Sequence, residues 1–285
     1  MLVQVNKQIL IVGLGLIGGS YAKALKRYGF PIAAISRKES TIAYALEQGL
    51  IDEGSTEVKE ELVGKADIVI FGLYPGIFVD WVREHQHLFK PGALLTDVTG
   101  VKRSIVYEIQ EMLRPDVEFI AAHPMAGKEV AGVEHSSEAI FHGANYIVTP
   151  TERNTPEAIA TCLELGQLLG FARVSTLSPE EHDEMIGFLS QLTHCIAVSL
   201  MTCNEQEHLE RYTGDSFRDL TRIARIQDEM WSELFLLNRD ALLRQMDLFS
   251  AEFHRLRQML AKGDREGMRE MMRKSTARRA LFDKK

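Results

Sequence analysis

A histidine followed by proline is the residue of this sequence best suited to take a proton from a substrate. His123 and Pro124 come directly after the apolar run 119–122. A neutral imidazole has its pKa near the working pH and is a suitable general base. Ligands of open α/β sheets bind beside the carboxyl ends of the parallel strands. If the run is such a strand, His123 is a candidate base, although by itself it could equally be a buried structural histidine.

A glycine-rich segment near the N-terminus has the spacing of a dinucleotide-binding loop. Gly13, Gly15 and Gly18 follow the strand-like run 8–12 and open a helical stretch. In this motif the first glycine permits a tight turn, the second lets the backbone approach a pyrophosphate, and the third lets helix and strand pack closely. The positive helix N-terminus attracts the phosphates. The predicted cofactor-binding residues here are Gly13, Gly15, Leu16, Ile17 and Gly18, with Leu73 after a later strand.

The residues after the second strand-like run bear on the choice of nucleotide. An NAD site usually has an acidic residue here, which bonds the ribose 2′-hydroxyl and repels a 2′-phosphate. This chain has Ser36, Arg37 and Lys38 instead, a hydroxyl and two cations suited to a phosphate. The alternative is a solvated basic loop. The sequence therefore favours NADP as the cofactor, with NAD possible.

Two regions differ in their pattern of apolar residues. Up to residue 177, continuous apolar runs alternate with helical stretches, which predicts a doubly wound, mostly parallel Rossmann sheet. From residue 178 onward the pattern is helical, and Ser178-Pro179-Glu180-Glu181 has the form of a capping box with proline at the first helical position. We expect a dinucleotide-binding domain over 1–177 and an all-α domain over 178–285, which forms part of a dimer.

Composition excludes several classes of protein. The net charge of −7 and pI of about 5.8 argue against a nucleic-acid partner. No run approaches the ~18 apolar residues of a membrane span, and no leader precedes the first strand. We therefore expect a cytoplasmic protein without a membrane partner. The three cysteines form no CxxC pair, so no metal site is predicted.

Several segments together resemble the prephenate/arogenate dehydrogenase family. They are GLGLIGGS, TDVTGVK, HPMAGKEVAGVE, SPEEHDE and SFRDLTRIARIQDEMW, in the family's order and spacing over residues from about 8 to 240. The resemblance implies an NAD(P)-dependent oxidoreductase of tyrosine biosynthesis, with a Rossmann domain and a helical domain that makes a homodimer. Its reaction is the oxidative decarboxylation of prephenate to 4-hydroxyphenylpyruvate, or of arogenate to tyrosine.

The resemblance also implies roles for single residues. His123 binds the ring hydroxyl and takes its proton, and Arg222 holds a substrate carboxylate. Arg218 stands where relatives have a lysine, four residues before Arg222 at the start of a predicted helix, so the two share one face. His194, which belongs to the second domain, lies near the substrate. Glu129 and Asp183 match acidic positions of an ionic network near the active site, and Trp231 is either an aromatic wall of the cleft or core.

One position departs from the family's pattern. Relatives often have Asp-x-Gly-Ser-Val-Lys after the fourth strand, and this serine helps to bind the ring hydroxyl. Here the matching residue is Gly100, preceded by Thr99. Either Thr99 supplies the hydroxyl, as a second catalytic residue, or His123 acts with water.

Three other functions compete with prephenate oxidation. Arogenate is the alternative substrate, because members of either preference share these motifs. A dehydrogenase of the 3-hydroxyacid or 6-phosphogluconate kind would need a catalytic lysine in its helical domain, and residues 179–203 contain none. A nonenzymatic NADP sensor would keep only the fold, with no need for His123, His194 and Arg222 together.

Overall fold

The computed structural model describes residues 4–128 and 130–283, and it contains a six-stranded parallel sheet. Its strand order, β3-β2-β1-β4-β5-β6, is that of a Rossmann fold. All five neighbouring pairs are parallel. The central strands are buried on both faces, as their continuous apolar sequences predict. The strands are β1 (Ile9–Val12), β2 (Ile32–Ile35), β3 (Glu53–Ser55), β4 (Ile68–Phe71), β5 (Leu94–Asp97) and β6 (Glu118–Phe119).

Five helices connect the strands of this sheet. Two apolar clusters form the core: α1 and α2 contribute to one, and α3, α4 and α5 contribute to the other. This arrangement confirms the predicted doubly wound fold. The helices are α1 (Leu16–Lys26), α2 (Glu39–Glu47), α3 (Glu60–Val63), α4 (Pro75–His85) and α5 (Arg103–Met112).

A second, three-stranded sheet follows, which differs from the single sheet expected. Its strands are β7 (Ala121–Pro124), β8 (Asn145–Thr149) and β9 (Arg173–Thr176), with α6 (Pro156–Leu168) between the last two. β7 continues the chain of β6 after Ile120, but it pairs antiparallel with β8. In the described part of the segment between β7 and β8 there are two 3-10 turns but no α-helix, the element that usually carries the chain across to a parallel neighbour.

Helices alone follow β9 in the described residues. Ser178 and Glu181 make the predicted capping box at the start of α7 (Pro179–Ile186). A π-helical segment, Gly187–Leu192, then joins α7 to α8 (Thr193–Thr202). The continuous helix Pro179–Thr202 is long and apolar enough to cross a membrane by length and composition, although it is not one apolar run. This is weak evidence for a membrane span, because core helices of soluble proteins have the same character.

Two further helices belong to the same compact unit as the sheets. α9 (Asp215–Thr221) leads into a 3-10 turn, Arg222–Ala224, and α10 (Asp228–Leu237) follows. The helix predicted to carry both arginines ends at Thr221, so only Arg218 lies within it. A new helix begins where the side chain of Gln227 accepts the amide of Met230. Residues Met1–Asn238 form this unit, and Arg239–Lys285 form a second with α11 (Arg239–Lys262) and α12 (Arg265–Arg279).

One cysteine is enclosed in the sheet region. Cys162 of α6 is completely buried, and its thiol lies 3.7 Å from the Tyr146 hydroxyl and 3.8 Å from the Thr96 hydroxyl. Burial raises the pKa of this thiol to about 11. Cys195 is half-buried and Cys203 is exposed. The thiol of Cys162 is therefore un-ionised and inaccessible in the folded protein.

Candidate active site

The glycine loop between β1 and α1 has the conformation that its spacing predicts. Gly13 has φ = +95°, and a β-carbon there would lie 2.4 Å from the carbonyl oxygen of Gly72. A β-carbon on Gly18 would lie 2.1 Å from the carbonyl oxygen of Gly13. Only glycine is tolerated at either place, because any larger residue would collide with the backbone.

Gly15 meets a different requirement. It is the N-cap of α1, and no atom lies within 4 Å of where its β-carbon would be. The first turn of α1, which begins with Leu16 and Ile17, has neither a side-chain cap nor an acidic residue. Leu73 contributes a side chain next to Gly13, 2.8 Å from the β-carbon position there. An open approach to a positive helix end fits the pyrophosphate of a dinucleotide.

The residues after β2 lie at the same edge of the sheet. Ser36 is half-buried, and its amide donates to the carbonyl of Ser55. Arg37 and Lys38 are exposed, and Lys38 is the N-cap of α2. The cations are therefore placed at the carboxyl end of the strand that follows the glycine loop, where the ribose of a bound dinucleotide is expected.

His123 lies at the carboxyl end of β7 and belongs to a chain of three side chains. Its Nδ1 is 2.9 Å from Nε2 of His182, and Nδ1 of His182 is 2.8 Å from a carboxylate oxygen of Asp183. The same carboxylate accepts the backbone amides of Lys102 and Arg103 at 2.8 and 2.9 Å. Asp183 thus also binds the N-terminal end of α5.

The hydrogen-bond chain assigns a proton to each imidazole nitrogen in it. The carboxylate of Asp183 can only accept, so His182 donates to it from Nδ1. When His182 is neutral its Nε2 must then accept, and the donor is Nδ1 of His123. This tautomer, inferred from the network, leaves the lone pair of His123 on Nε2. A base with that orientation presents its free nitrogen away from His182.

Burial favours the neutral form of both histidines. Burial lowers the pKa of His123 well below 6.5, and the neighbouring His182 and Lys102 lower it further. Burial also lowers the pKa of His182, although its hydrogen bond with Asp183 opposes the change. His123 therefore stays unprotonated, and able to accept a proton, in solutions more acidic than an exposed histidine would tolerate.

A buried ion pair supports the loop beside His123. Lys102 is completely buried, and its ammonium group donates to Asp97 and to the carbonyl of Ala122, both at 2.7 Å. The other carboxylate oxygen of Asp97 accepts the amide of Ala122 at 3.1 Å. Asp97 and Lys102 therefore connect the end of β5 to Ala122, the residue before His123. These contacts restrict the position of His123.

The hydroxyl of Thr99 belongs to this ion pair. It contacts the carboxylate of Asp97 and the carbonyl of Val101, and it lies 3.2 Å from the Lys102 ammonium group. Thr99 is only 4% exposed. Its hydrogen bonds hold the loop together, so this geometry does not support the expectation that Thr99 supplies a hydroxyl to substrate.

Gly100 faces the histidine directly. A β-carbon at this position would lie 4.0 Å from Cε1 of His123 and 3.6 Å from the side chain of Leu234. These are ordinary van der Waals distances, so a serine β-carbon would fit at residue 100. The site lacks the serine hydroxyl that the resemblance implies because residue 100 is glycine, and not because a serine would be crowded there.

His194 and Trp231 form the aromatic part of the site region. Their rings stack with centroids 3.7 Å apart, and His194 Nδ1 lies 2.8 Å from the carbonyl of Ser190. The π-helical segment that contains Ser190 changes the 3.6-residue periodicity, so the predicted face through Gly187, Ser190, His194 and Ala197 is not a regular α-helical face.

The two arginines have different surroundings. Arg222 is exposed at the start of the 3-10 turn that packs against α8, the helix of His194. Arg218 in α9 pairs with Asp215 at 2.6 Å and also donates to Thr213. Arg218 is therefore part of an exposed local ion pair. Glu129, predicted to belong to an acidic network, lies outside the described residues.

Three residues of this site were missed from the sequence. His182 was not singled out, although it is the residue that orients His123, and the buried pair of Asp97 and Lys102 was not recognised. Asp183, expected in an ionic network near the active site and grouped with the residues for substrate, has a buried carboxylate bonded to His182 and two amides. The only available signal was the adjacency of His182 and Asp183 in SPEEHDE.

The fold and site define an NAD(P)-dependent oxidoreductase, and comparisons with known proteins identify its family. The family model described as "Prephenate dehydrogenase, nucleotide-binding domain" matches residues 21–174. That described as "Prephenate dehydrogenase, dimerization domain" matches residues 178–274. Together they span more than half of the chain, which therefore belongs to the prephenate dehydrogenase family, whose members act in tyrosine biosynthesis.

Individual relatives agree with this assignment. The chain is 31% identical over 274 residues to a prephenate dehydrogenase of Bacillus subtilis, covering 93% of this chain and 73% of that protein. It is 29% identical to a cyclohexadienyl dehydrogenase of Zymomonas mobilis, covering 97% of each. A crystal structure of prephenate dehydrogenase from A. aeolicus with hydroxyphenyl propionate and NAD+ is similar with a TM-score of 0.90 and 29% identity, covering 97% of this chain and 98% of that one.

Proposed function

We propose that the chain is a prephenate dehydrogenase, which converts prephenate to 4-hydroxyphenylpyruvate and CO2 with NAD(P)+. The observation that carries this proposal is the chain from Asp183 through His182 to His123, which leaves an unprotonated nitrogen on His123. A dehydrogenase that oxidises a ring alcohol needs such a base at the hydroxyl. The name of the Bacillus subtilis relative supports the same substrate.

The residues of the chain supply binding and proton transfer. Nε2 of His123 accepts the proton of the ring hydroxyl. The hydride leaves the ring carbon that carries this hydroxyl, for which a bound nucleotide would supply the acceptor. The ring carboxylate leaves as CO2, its electron pair completes the aromatic ring, and His123 returns the proton to the phenolic oxygen. The histidine therefore ends each turnover neutral. Since aromatisation drives the reaction, the remaining task of the protein is to orient the ring and its carboxylates.

Arg222 is the proposed carboxylate anchor, with His194 beside it and Arg218 as a weaker contributor. The turn of Arg222 packs against α8, and a guanidinium group can hold a carboxylate through two hydrogen bonds. Arg218 already pairs with Asp215, which reduces what it offers to a substrate.

NADP is the proposed cofactor, with NAD as the alternative. The exposed cations Arg37 and Lys38 at the end of β2 support it, and no acidic residue stands at positions 36–38. One structural relative was crystallised with NAD+, so both nucleotides must be compared. We expect kcat/KM to be higher with NADP, and Arg37→Ala with Lys38→Ala should remove that preference while activity with NAD persists. A clear preference of the unaltered protein for NAD would refute this choice.

The experiment that tests the activity is an absorbance assay at 340 nm. Prephenate and arogenate are each supplied with NADP and with NAD, and the four values of kcat/KM are compared. Highest activity with prephenate supports the proposal. Highest activity with arogenate assigns the alternative, for which the structure of a Synechocystis arogenate dehydrogenase, 25% identical with a TM-score of 0.84, is a precedent. Reduction of neither nucleotide with either acid would favour a protein that binds nucleotide without catalysis.

We propose that the functional form is a homodimer, which associates through the helical region. We also propose that the protein is cytoplasmic and that its two domains divide at residue 177. On α11, apolar residues recur with alternating spacings of four and three, a pattern typical of a helix that packs lengthwise against another. Several of them are exposed in the single chain. The stripe consists of Leu242, Met246, Phe249, Phe253, Leu256 and Leu260. Sedimentation of the protein, and of a variant with Phe253→Glu, tests it: loss of the dimer is expected in the variant.

A further inference from the structure

Helix α10 forms one wall beside His123 and His194. The ring of Trp231 stacks on His194, and the side chain of Leu234 lies 3.6 Å from where a β-carbon on Gly100 would be. The carboxylate of Glu233 accepts the amide of Gly76 at 2.7 Å, at the start of α4. The position of α10 therefore determines where an aromatic ring, an apolar side chain and a helix-capping carboxylate lie around the site.

Two buried amide side chains connect α10 to the helix that carries His182 and His194. Gln191 is 1% exposed and lies in the π-helical segment, and Asn238 is 6% exposed just after α10. The amide nitrogen of Gln191 donates to the carbonyl of Leu234 at 3.0 Å. The amide nitrogen of Asn238 donates to the side-chain oxygen of Gln191 at 2.7 Å and to the carbonyl of Asp183 at 2.8 Å.

These bonds are more specific than apolar packing would be. A buried polar group that loses its partner costs free energy, so the pair favours one register of α10 against the other helix. The π-helical segment contributes to the same arrangement, because an i→i+5 turn changes the angular position of every later residue, including His194. Gln191 thus fixes the segment whose geometry brings His194 to Trp231.

We infer that Gln191 and Asn238 are positioning residues, which hold α10 so that Trp231, His194 and Leu234 form the substrate side of the site. This inference rests on the proposed function for its kinetic consequence. The pair touches neither His123 nor the glycine loop, and it binds Asp183 through the backbone carbonyl and not through the carboxylate that contacts His182. Its loss should therefore weaken substrate binding much more than the turnover of bound substrate. We expect KM for the cyclohexadienyl acid to rise about tenfold on Asn238→Leu, with kcat changed less than about threefold.

The geometry of α10 can be measured independently of catalysis. The chain contains two tryptophans, Trp81 and Trp231, so Trp81→Phe leaves one reporter stacked on a histidine. Protonation of His194 should quench that fluorescence, and the pH-dependent change reports the stacking. We expect Asn238→Leu in this background to reduce the pH-dependent change at least about twofold, an estimate based on partial loss of ring contact.

A matched variant separates positioning from general loss of stability. Asn154 also donates two bonds from its side chain, to Glu118 and to the carbonyl of Phe119, but it lies in the sheet region. Asn154→Leu should lower Tm without a change in KM or in the Trp231 titration. If Asn238→Leu behaves in the same way, the positioning role is wrong.

A conservative variant serves if Asn238→Leu does not fold. Gln191→Glu keeps an oxygen to accept from Asn238, but an ionised carboxylate cannot donate to the carbonyl of Leu234. The ratio of KM between this variant and the unaltered protein should fall toward one as pH decreases and the new carboxyl group is protonated. A ratio that is independent of pH, together with an unchanged Trp231 titration, would overturn the inference. If the unaltered protein oxidises neither acid, the proposed function fails, and the fluorescence titration alone decides the role of this pair.

Discussion

The nucleotide loop and the proton-transfer site are determined by different parts of the chain. The loop depends on backbone: Gly13 and Gly18 are required by carbonyl oxygens at 2.4 and 2.1 Å, and their motif spans six consecutive residues. The proton-transfer site depends on side chains, since His123 and His182 are 59 positions apart in sequence. A local motif determines the first, whereas the folded arrangement of β7, α5 and α7 determines the second. Substitutions in the two regions should therefore have separable effects.

The largest effect is expected at the proposed base. His123→Gln should lower kcat by about 10²–10⁴-fold, the usual contribution of a positioned general base. The dissociation constant of the nucleotide, measured by fluorescence titration, should not change because the glycine loop is distant in sequence and built from backbone. A variant whose kcat stays within about tenfold of the original would remove His123 from catalysis.

The two arginines provide the next test, because one lies in the turn beside α8 and the other is held in a surface ion pair. Arg222→Ala should raise KM about 10- to 100-fold, as expected when a charge-assisted bond to a carboxylate is lost. Arg218→Ala is the matched control and should stay within about fivefold, because the pair with Asp215 is exposed. Equal effects at both positions would contradict this difference between them.

The glycine loop allows binding to be separated from folding. Gly15→Ala meets no atom within 4 Å, so Tm without nucleotide should not change, while the nucleotide dissociation constant rises about tenfold, or ~1.4 kcal/mol. Gly18→Ala collides with the carbonyl of Gly13 and should lower stability by about 1–3 kcal/mol, an overpacking cost. Thermal unfolding and titration of both variants measure these quantities. A lower Tm in Gly15→Ala would show that the loop has no open approach.

The smallest effect is a displacement of the pH profile. His123 is active when neutral, and its folded-state pKa lies well below 6.5, so kcat/KM should be retained below pH 6.5 and decrease only in more acidic solution. His182→Gln removes a ring that can carry positive charge, so the acid limb should move to higher pH. The free energy of unfolding depends on pH in the same direction. Because the pKa of His123 is lower in the folded protein than in the unfolded chain, its burial contributes stability above pH 6.5 that is lost as the pH falls. An acid limb that does not move would show that His182 does not affect the titration.

The sequence was sufficient wherever neighbouring residues determine the structure. The glycine spacing, the capping box of Ser178 and Glu181, and the position of His123 at a strand end were all expected and are present. The short strand β3 was missed because Glu53–Ser55 has no apolar run. The strand β7 was expected, but its antiparallel direction was missed because that direction depends on a later pairing with β8.

The contacts around the site could not be predicted from the sequence, because they join residues that are distant along the chain. Nothing near His123 in sequence reveals that His182 is its partner, and a six-residue π-helical segment has no signature in apolar periodicity. The hydrogen bonds of the Thr99 hydroxyl could not be predicted because its partners, Asp97 and Lys102, are buried together by the fold. Motifs identified the residues, and only the tertiary structure identified what they contact.

The enclosed thiol of Cys162 can be used to measure how often the sheet region of this enzyme opens locally. A thiol-exchange reagent added to the native protein should modify Cys203 at once, since that residue is exposed. Cys162 can react only when α6 separates from the strands that cover it, because its thiol is both inaccessible and un-ionised. The rate of its slow labelling therefore reports how often the sheet region opens, and comparison with and without nucleotide would show how strongly the ligand keeps that region closed.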